Sequence, residues 1–256
     1  MIDKLIQLGG RLLKITTRNP RDLQHVLGIA NWAAGEIVDP VADIRGIPYV
    51  DVLNICPGTQ RWTLQSFPSV GASVSPMECA ALAALSHLVA AKRVFEFGTY
   101  KGVSTTQLAL NLADGGMVFT LDLPEDHPAY SLPIPKPEEQ AIAAEGGKGI
   151  LIPRDLLDRV TFLSSDSATF DEGPYHGTID LVFVDGAHSY EYVKNDSEKG
   201  WQMLRPGGIL AWHDCTPSHS DVVRYIKESH PDAQLVTSTA LAFTTKPSSN
   251  SIQTVS

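Results

Sequence analysis

The sequence predicts an α/β protein built on a doubly wound parallel sheet, and three observations predict it. Short apolar runs at 94–97 (VFEF), 118–123 (VFTLDL), 160–165 (VTFLSS), 179–184 (IDLVFV) and 209–213 (ILAWH) have the length and composition of buried parallel strands. Segments of helical period or with helix-capping signals separate several of them. The runs also end in glycine or aspartate, where an open α/β sheet meets its ligand.

A chain of 256 residues with 43% hydrophobic content buries one substantial core, so one α/β domain with an added segment is expected. The boundaries read as a helical cap or interface segment over 1–70, the ligand-binding domain over 71–247 and a disordered tail over 248–256. A net charge of −9 without a Lys/Arg cluster argues against nucleic acid as a partner. Cys56, Cys79 and Cys215 are odd in number and widely spaced, which fits neither a disulfide framework nor a cysteine zinc site and suits a reducing cytoplasm. The opening MIDKLIQLGGRLLK is too interrupted for a signal peptide. No long uncharged stretch supports stable membrane insertion.

Taken in order, Asn19, Pro20 and Asp22 read as the cap and first turn of a helix reaching about Ala34. Pro40, Gly46, Pro48 and Pro57 then break the chain into irregular connections, which either cover the substrate side of the core or form the interface of a homodimer. Ser75-Pro76-Met77-Glu78 is a capping box with proline at the first helical position, opening a helix whose Leu82, Leu85 and Val89 share a face.

The organising stretch is RVFEFGTYKGVSTTQ, 93–107. Gly98 ends the strand and a helix starts near Gly102. Glu96, just before the turn, is placed to accept hydrogen bonds from a polar ligand. Gly98 and Gly102, flanking Thr99, permit a close backbone approach. The amides near Ser104 and Thr105 open a helix N-terminus, which favours an anionic group. The glycine spacing does not fit a dinucleotide fingerprint, which needs glycines at its first, third and sixth positions. Asp122 ends the next strand twenty residues beyond Gly102, where an acidic side chain meets a ribose diol.

The proline-, glycine- and acid-rich stretch 124–149 is either a mobile lid or a disordered loop. A short helix near 155–159 feeds the strand ending at Asp166-Ser167. The strand 179–184 runs into Asp185-Gly186-Ala187-His188-Ser189-Tyr190 and a helix to about Leu204, stopped by Pro206-Gly207-Gly208. Asp214 follows the strand 209–213, so Asp185 and Asp214 open onto one crevice from neighbouring strands. His188 has an unperturbed pKa near 6.5, suited to taking a proton, although a histidine at a helix start also serves as a cap. A helix over 222–230 and a strand over 241–245 close the domain.

Together, EFGTYKG, VDGAHSY, LRPGG and WHDC resemble the class I S-adenosylmethionine-dependent methyltransferases, and within them the metal-dependent catechol- and caffeoyl-CoA-type and macrolide-sugar O-methyltransferases. The resemblance covers about residues 70–215. It implies a Rossmann-like seven-stranded sheet with an antiparallel closing strand. It also implies S-adenosylmethionine held by Glu96, Gly98, Thr99, Gly102, Ser104, Asp122, Asp166, Ser167 and Asp185, with Asp166 and Ser167 at the adenine.

The same resemblance places a divalent metal at Asp185 and Asp214. The family's third ligand, an asparagine, falls at Cys215, and a thiol suits Mg²⁺ poorly. His213 offers a nitrogen to a softer ion such as Mn²⁺. His188 takes the position of the family's proposed base, a lysine, making His188 and Asp185 the catalytic candidates. The implied activity is methyl transfer to a hydroxyl of a small molecule. The alternatives are a metal-independent O- or N-methyltransferase using His188, or a non-catalytic protein that binds the nucleoside.

Overall fold

The computed structural model describes residues 46–57, 61–65, 73–125, 130–134 and 137–248. The chain divides into the units Met1–Arg45 and Gly46–Ser256, and only the second is described. The helix expected over 19–34 and the tail beyond 248 lie outside the described residues.

Among the described residues eight strands form one sheet: β1 Tyr49–Val50, β2 Arg93–Phe97, β3 Met117–Asp122, β4 Val160–Ser164, β5 Ile179–Val184, β6 Leu204–Trp212, β7 Gln234–Val236 and β8 Ala242–Thr245. Their order is β1-β7-β8-β6-β5-β2-β3-β4. Strands β2 to β6 are mutually parallel, while β8 runs antiparallel between β6 and β7. The expected Rossmann-like sheet with its antiparallel closing strand is present, with eight strands in place of seven. One added strand is β1, two residues that pair in parallel with β7 after Pro48. Too short for any periodicity, β1 is held by Leu235 N donating to Pro48 O and Thr237 N donating to Val50 O, both at 2.9 Å.

Six α-helices are described: α1 Val52–Ile55, α2 Pro76–Leu88, α3 Val103–Leu110, α4 Pro137–Ala143, α5 Tyr190–Met203 and α6 Ser220–Ser229. Helix α2 has its capping box in full, with Ser75 Oγ accepting from Glu78 N and Glu78 Oε2 accepting from Ser75 N at 2.6 Å. Residues 61–65 run along α3, where the amide of Asn111 both accepts from Thr63 N and donates to Thr63 O. Gln107 does the same for Gln65, so two side-chain amides imitate a strand ladder.

The core lies on both faces of the central strands. Val94, Phe95, Leu181, Val182, Phe183, Leu210 and Trp212 are fully buried, which fits near-continuous apolar runs covered by helices on each side. Because β2 to β6 run in one direction, the carboxyl ends of all five open along the same edge. The order reverses between β5 and β2, and that switch point is where the site forms.

Candidate active site

The turn after β2 runs through Gly98, Tyr100 and Gly102, all at positive φ. A Cβ on Gly98, at φ +96°, would stand 2.1 Å from the carbonyl oxygen of Asp185, so the turn rests directly against the end of β5. Asp185 N donates to Phe97 O at 2.9 Å and fixes the same junction. Asp122, at the end of β3, holds the turn from the other side. Its Oδ2 accepts from Thr99 N at 3.0 Å and Tyr100 N at 2.9 Å. Its Oδ1 accepts from Leu123 N at 2.7 Å and Lys148 Nζ at 2.5 Å. Both oxygens therefore carry two donors each, which fills the carboxylate.

Glu96 corrects an expectation. It is fully buried, and its carboxylate accepts from Ser104 Oγ, Thr105 Oγ1 and Thr120 Oγ1 at 2.5–2.6 Å. It ties β2, β3 and α3 together beneath the turn instead of facing a ligand. Register explains this, since Glu96 pairs with Thr120 while its neighbours Phe95 and Phe97 point the other way. Burial pushes its carboxyl up to about 7, against the pull of the three hydroxyls. Ser104, spent on Glu96 through its hydroxyl, still lines the cleft.

Two cavities meet at the switch point and share Gly98, Tyr100, Ile142, Asp185, Gly186 and His188. The first continues past Asp122, Ile134, Lys148, Asp166, Ser167 and Tyr192. Asp166 is buried, accepting from Ser131 N at 2.7 Å, Ala168 N at 3.0 Å and Tyr192 Oη at 3.0 Å. Burial raises its pKa, but these donors outweigh it and hold the carboxyl below its usual range. Ser167 hydrogen-bonds Asp196, a buried acid on α5 that desolvation pushes up to about 7. The stretch 144–152 is pinned to the glycine turn by Gly149 N donating to Tyr100 O and Leu151 N donating to Lys101 O. Lys148, at this end of the insertion, is part of the wall of the cavity.

The second cavity is walled by Ser73, Lys101, Ser104, His213, Asp214 and His219. Here Asp185, His213 and Asp214 lie close together. His213 Nδ1 lies 3.1 Å from Asp185 Oδ1 and 3.0 Å from Asp214 Oδ2. His188 Nε2 lies 2.8 Å from Asp214 Oδ2, and His219 Nδ1 lies 3.4 Å from Asp214 Oδ1. Asp214 sits at φ +54°, a left-handed conformation that aspartate tolerates better than most residues. Burial works against its ionisation, but His213 and His188 hold its carboxyl well below the usual range. Burial likewise opposes charge on His213, yet Asp185 and Asp214 hold that imidazole well above its ordinary value. For Asp185, desolvation prevails over His213 and raises the carboxyl.

Cys215 turns away into the core, fully buried, with burial pushing its thiol up to about 12. It takes no part in the cluster. Glu78 does, since its Oε2 lies 3.2 Å from His213 Nε2. Glu78 read only as a capping residue in the sequence, and nothing local connects it to a histidine in a later strand. His219, Lys148, Tyr192 and Asp196 were also not singled out. Among them, His219 stood in a Ser/Thr-rich stretch and Lys148 in a glycine-rich one, where no period or motif marks a residue.

A family model described as a methyltransferase domain matches residues 95–215. Caffeoyl-CoA O-methyltransferase 3 of Nicotiana tabacum is 29% identical over 154 residues, covering 60% of this chain and 56% of that protein. Catechol O-methyltransferase domain-containing protein 1 of Mus musculus is 31% identical over 130 residues, covering 51% and 44%. The chain thus matches about half the length of these curated relatives. A solved methyltransferase from Geobacter sulfurreducens shares the fold at a TM-score of 0.51, with 15% identity over 69% of this chain and 81% of that one. Residues 95–215 are thus similar to a methyltransferase domain, on a fold shared with a solved methyltransferase. Among curated proteins, the similarity extends to caffeoyl-CoA O-methyltransferases.

Proposed function

We propose that the chain is an S-adenosylmethionine-dependent O-methyltransferase that methylates a hydroxyl of a small molecule, with a divalent cation at Asp185, His213 and Asp214. The observation that carries this reading is the shared wall of the two cavities. One side presents Asp122, Asp166 and Ser167, and the other a His/Asp cluster, with Gly98, Asp185 and Gly186 between them.

The residues fit both groups. Asp122 is placed for the ribose, its Oδ1 partner Lys148 being the exchangeable one because the other three donors are backbone amides. Ligands about 2.1 Å from a common ion and at right angles stand about 3 Å apart, which matches the spacing of His213 Nδ1 from its two carboxylate oxygens. Two oxygens and one imidazole suit Mn²⁺ better than Mg²⁺.

Bound S-adenosylmethionine supplies an electrophilic methyl group, and a bound cation supplies Lewis acidity that lowers the pKa of the acceptor hydroxyl. The chain does the rest. Gly98 and Gly102 let the backbone approach, while Asp122, Asp166 and Ser167 fix the nucleoside. Alignment of this kind is worth up to roughly 7–11 kcal/mol in well-oriented systems. Tyr100, Ile142 and Lys148 wall the cavity against water. His188 takes the acceptor's proton, and the Asp214 carboxylate beside its Nε2 stabilises the imidazolium.

A cation-free reading is favoured by one observation: a protonated His213 already offers a positive charge to Asp185, Asp214 and Glu78. Methyl transfer from labelled S-adenosylmethionine to catechol-type and sugar hydroxyls, with and without EDTA, separates the two. Loss of transfer with EDTA and its return with Mn²⁺ supports the cation. Transfer unaffected by EDTA removes it.

We also take the domain to reach back to about Gly46, because β1 joins the sheet and residues 61–65 run along α3, with the residues before it serving as a cap or homodimer interface and no nucleic-acid partner. A reducing cytoplasm accords with three buried, unpaired cysteines, and among the described residues no helix is long and apolar enough to cross a membrane.

A further inference from the structure

We infer that Glu78 is a positioning residue for the cation site, acting through His213 to point that ring's Nδ1 lone pair at the space between Asp185 and Asp214. The inference rests on the reading of those three residues as cation ligands and names a residue outside them.

Glu78 cannot swing. Its Oε1 accepts from Ala240 N at 2.8 Å and its Oε2 from Ser75 N at 2.6 Å, so the carboxylate is fixed from two segments far apart in the chain. It is 6% exposed. His213 is held between opposite demands. Its Nε2 stands 3.2 Å from Glu78 Oε2, off the axis of a straight hydrogen bond, while its Nδ1 faces Asp185 Oδ1 and Asp214 Oδ2. Phe183 packs edge-on against the ring, with centroids 6.3 Å apart, and limits its rotation.

A ligating imidazole keeps one proton, and the partner of the other nitrogen decides where. The Glu78 carboxylate offers only acceptor capacity toward His213, so the proton belongs on Nε2 and the lone pair on Nδ1. The capping box at the start of α2 therefore does two things: it closes the helix N-terminus and supplies the carboxylate behind a metal-binding histidine. The contacts that His188 and His219 make are with Asp214 and not with His213 Nε2.

The test compares wild type, Glu78→Gln and His213→Ala as full-length protein, measuring Mn²⁺ affinity by electron paramagnetic resonance. In Glu78→Gln the carboxamide NH₂ turned to Nε2 makes that nitrogen an acceptor and moves the proton to Nδ1, against the cation. Mn²⁺ binding is expected to weaken about 10–100-fold, the range for lost outer partners of metal-binding histidines. Nitrogen-15 NMR of the Zn²⁺-loaded wild type gives a readout that a merely structural role would not move, with Nε2 protonated and Nδ1 coordinated. It decides the matter even if the variant is unstable. Wild-type affinity in Glu78→Gln with loss in His213→Ala, or coordination through Nε2, overturns the role of Glu78 alone. Mn²⁺ binding absent from wild type overturns the cation reading itself.

Discussion

Substituting Gly98 by alanine tests whether the glycine turn and Asp185 form one rigid junction. The new Cβ would lie 2.1 Å from Asp185 O and 2.7 Å from Asp185 C, where real Cβ atoms essentially never come closer than 3.0 Å, so the junction must open by 3.0 − 2.1 = 0.9 Å. The turn has little room to yield, because Gly98 N donates to Leu121 O at 2.8 Å and Asp185 N to Phe97 O at 2.9 Å. Left-handed backbone costs a side-chain-bearing residue roughly 1–2 kcal/mol. Overpacking adds roughly 1–3 kcal/mol, giving about 2–5 kcal/mol in all. In a unit of this size that lowers Tm by roughly 4–20 °C. An opening of that size also stretches the contacts of Asp185 and loosens both cavities. Gly115→Ala is the control, since φ there is +73° with nothing within 4 Å of the added Cβ. It should cost roughly 1–2 kcal/mol and leave binding intact. Thermal unfolding and calorimetric titration with S-adenosylhomocysteine read both effects. A Gly98→Ala protein that melts with the control and binds like wild type would refute the reasoning.

Three further outcomes follow from the same geometry. Asp122→Asn sets a carboxamide against Leu123 N and Lys148, removing a charge-assisted acceptor worth roughly 1.5–3 kcal/mol; calorimetry should show S-adenosylhomocysteine binding weakened by about 10–150-fold. His188→Gln should lower turnover by about 10²–10⁴-fold while leaving that binding unchanged, and unchanged turnover would remove His188 from the mechanism. Glu96 titrates near 7 folded against 4.5 when exposed, so the folded state binds the extra proton. Its stability contribution is full below the unfolded pKa and is lost as pH rises from about 4.5 through 7, by about 3 kcal/mol. Urea unfolding of Glu96→Gln at pH 5 and pH 8 should show that decline missing, and a variant with the wild-type slope would contradict it.

Much of the fold was legible because strands β2, β3 and β5 and the second half of β6 are short, apolar and sharply ended, although β6 itself begins at Leu204, within the stretch read as the helix end and its stop. Each announces its carboxyl end by a glycine or an aspartate, so the convergence of Gly98, Asp122, Asp185 and Asp214 could be read from spacing alone. What could not be read depends on partners distant in sequence. Glu96 was expected to face a ligand, but an acid flanked by Phe95 and Phe97 on a central strand needs internal donors, and Thr120 across the sheet is one. That flanking was the available signal. Glu78 satisfied a local rule so completely that its second partner left no trace. The two-residue β1 is made by tertiary pairing, and Lys148 reaches Asp122 only because backbone bonds at Gly149 and Leu151 pin its segment to the turn.

The most direct measurement is a crystal structure of the chain with S-adenosylhomocysteine and Mn²⁺. The account expects the ribose at Asp122 in place of the Lys148 ammonium, the adenine toward Asp166 and Ser167, and the sulfur at the shared wall beside Gly186. It expects the ion to be bound by Asp185, His213 and Asp214. A nucleoside seated outside the first cavity, or with its sulfur turned away from the His/Asp cluster, would contradict it.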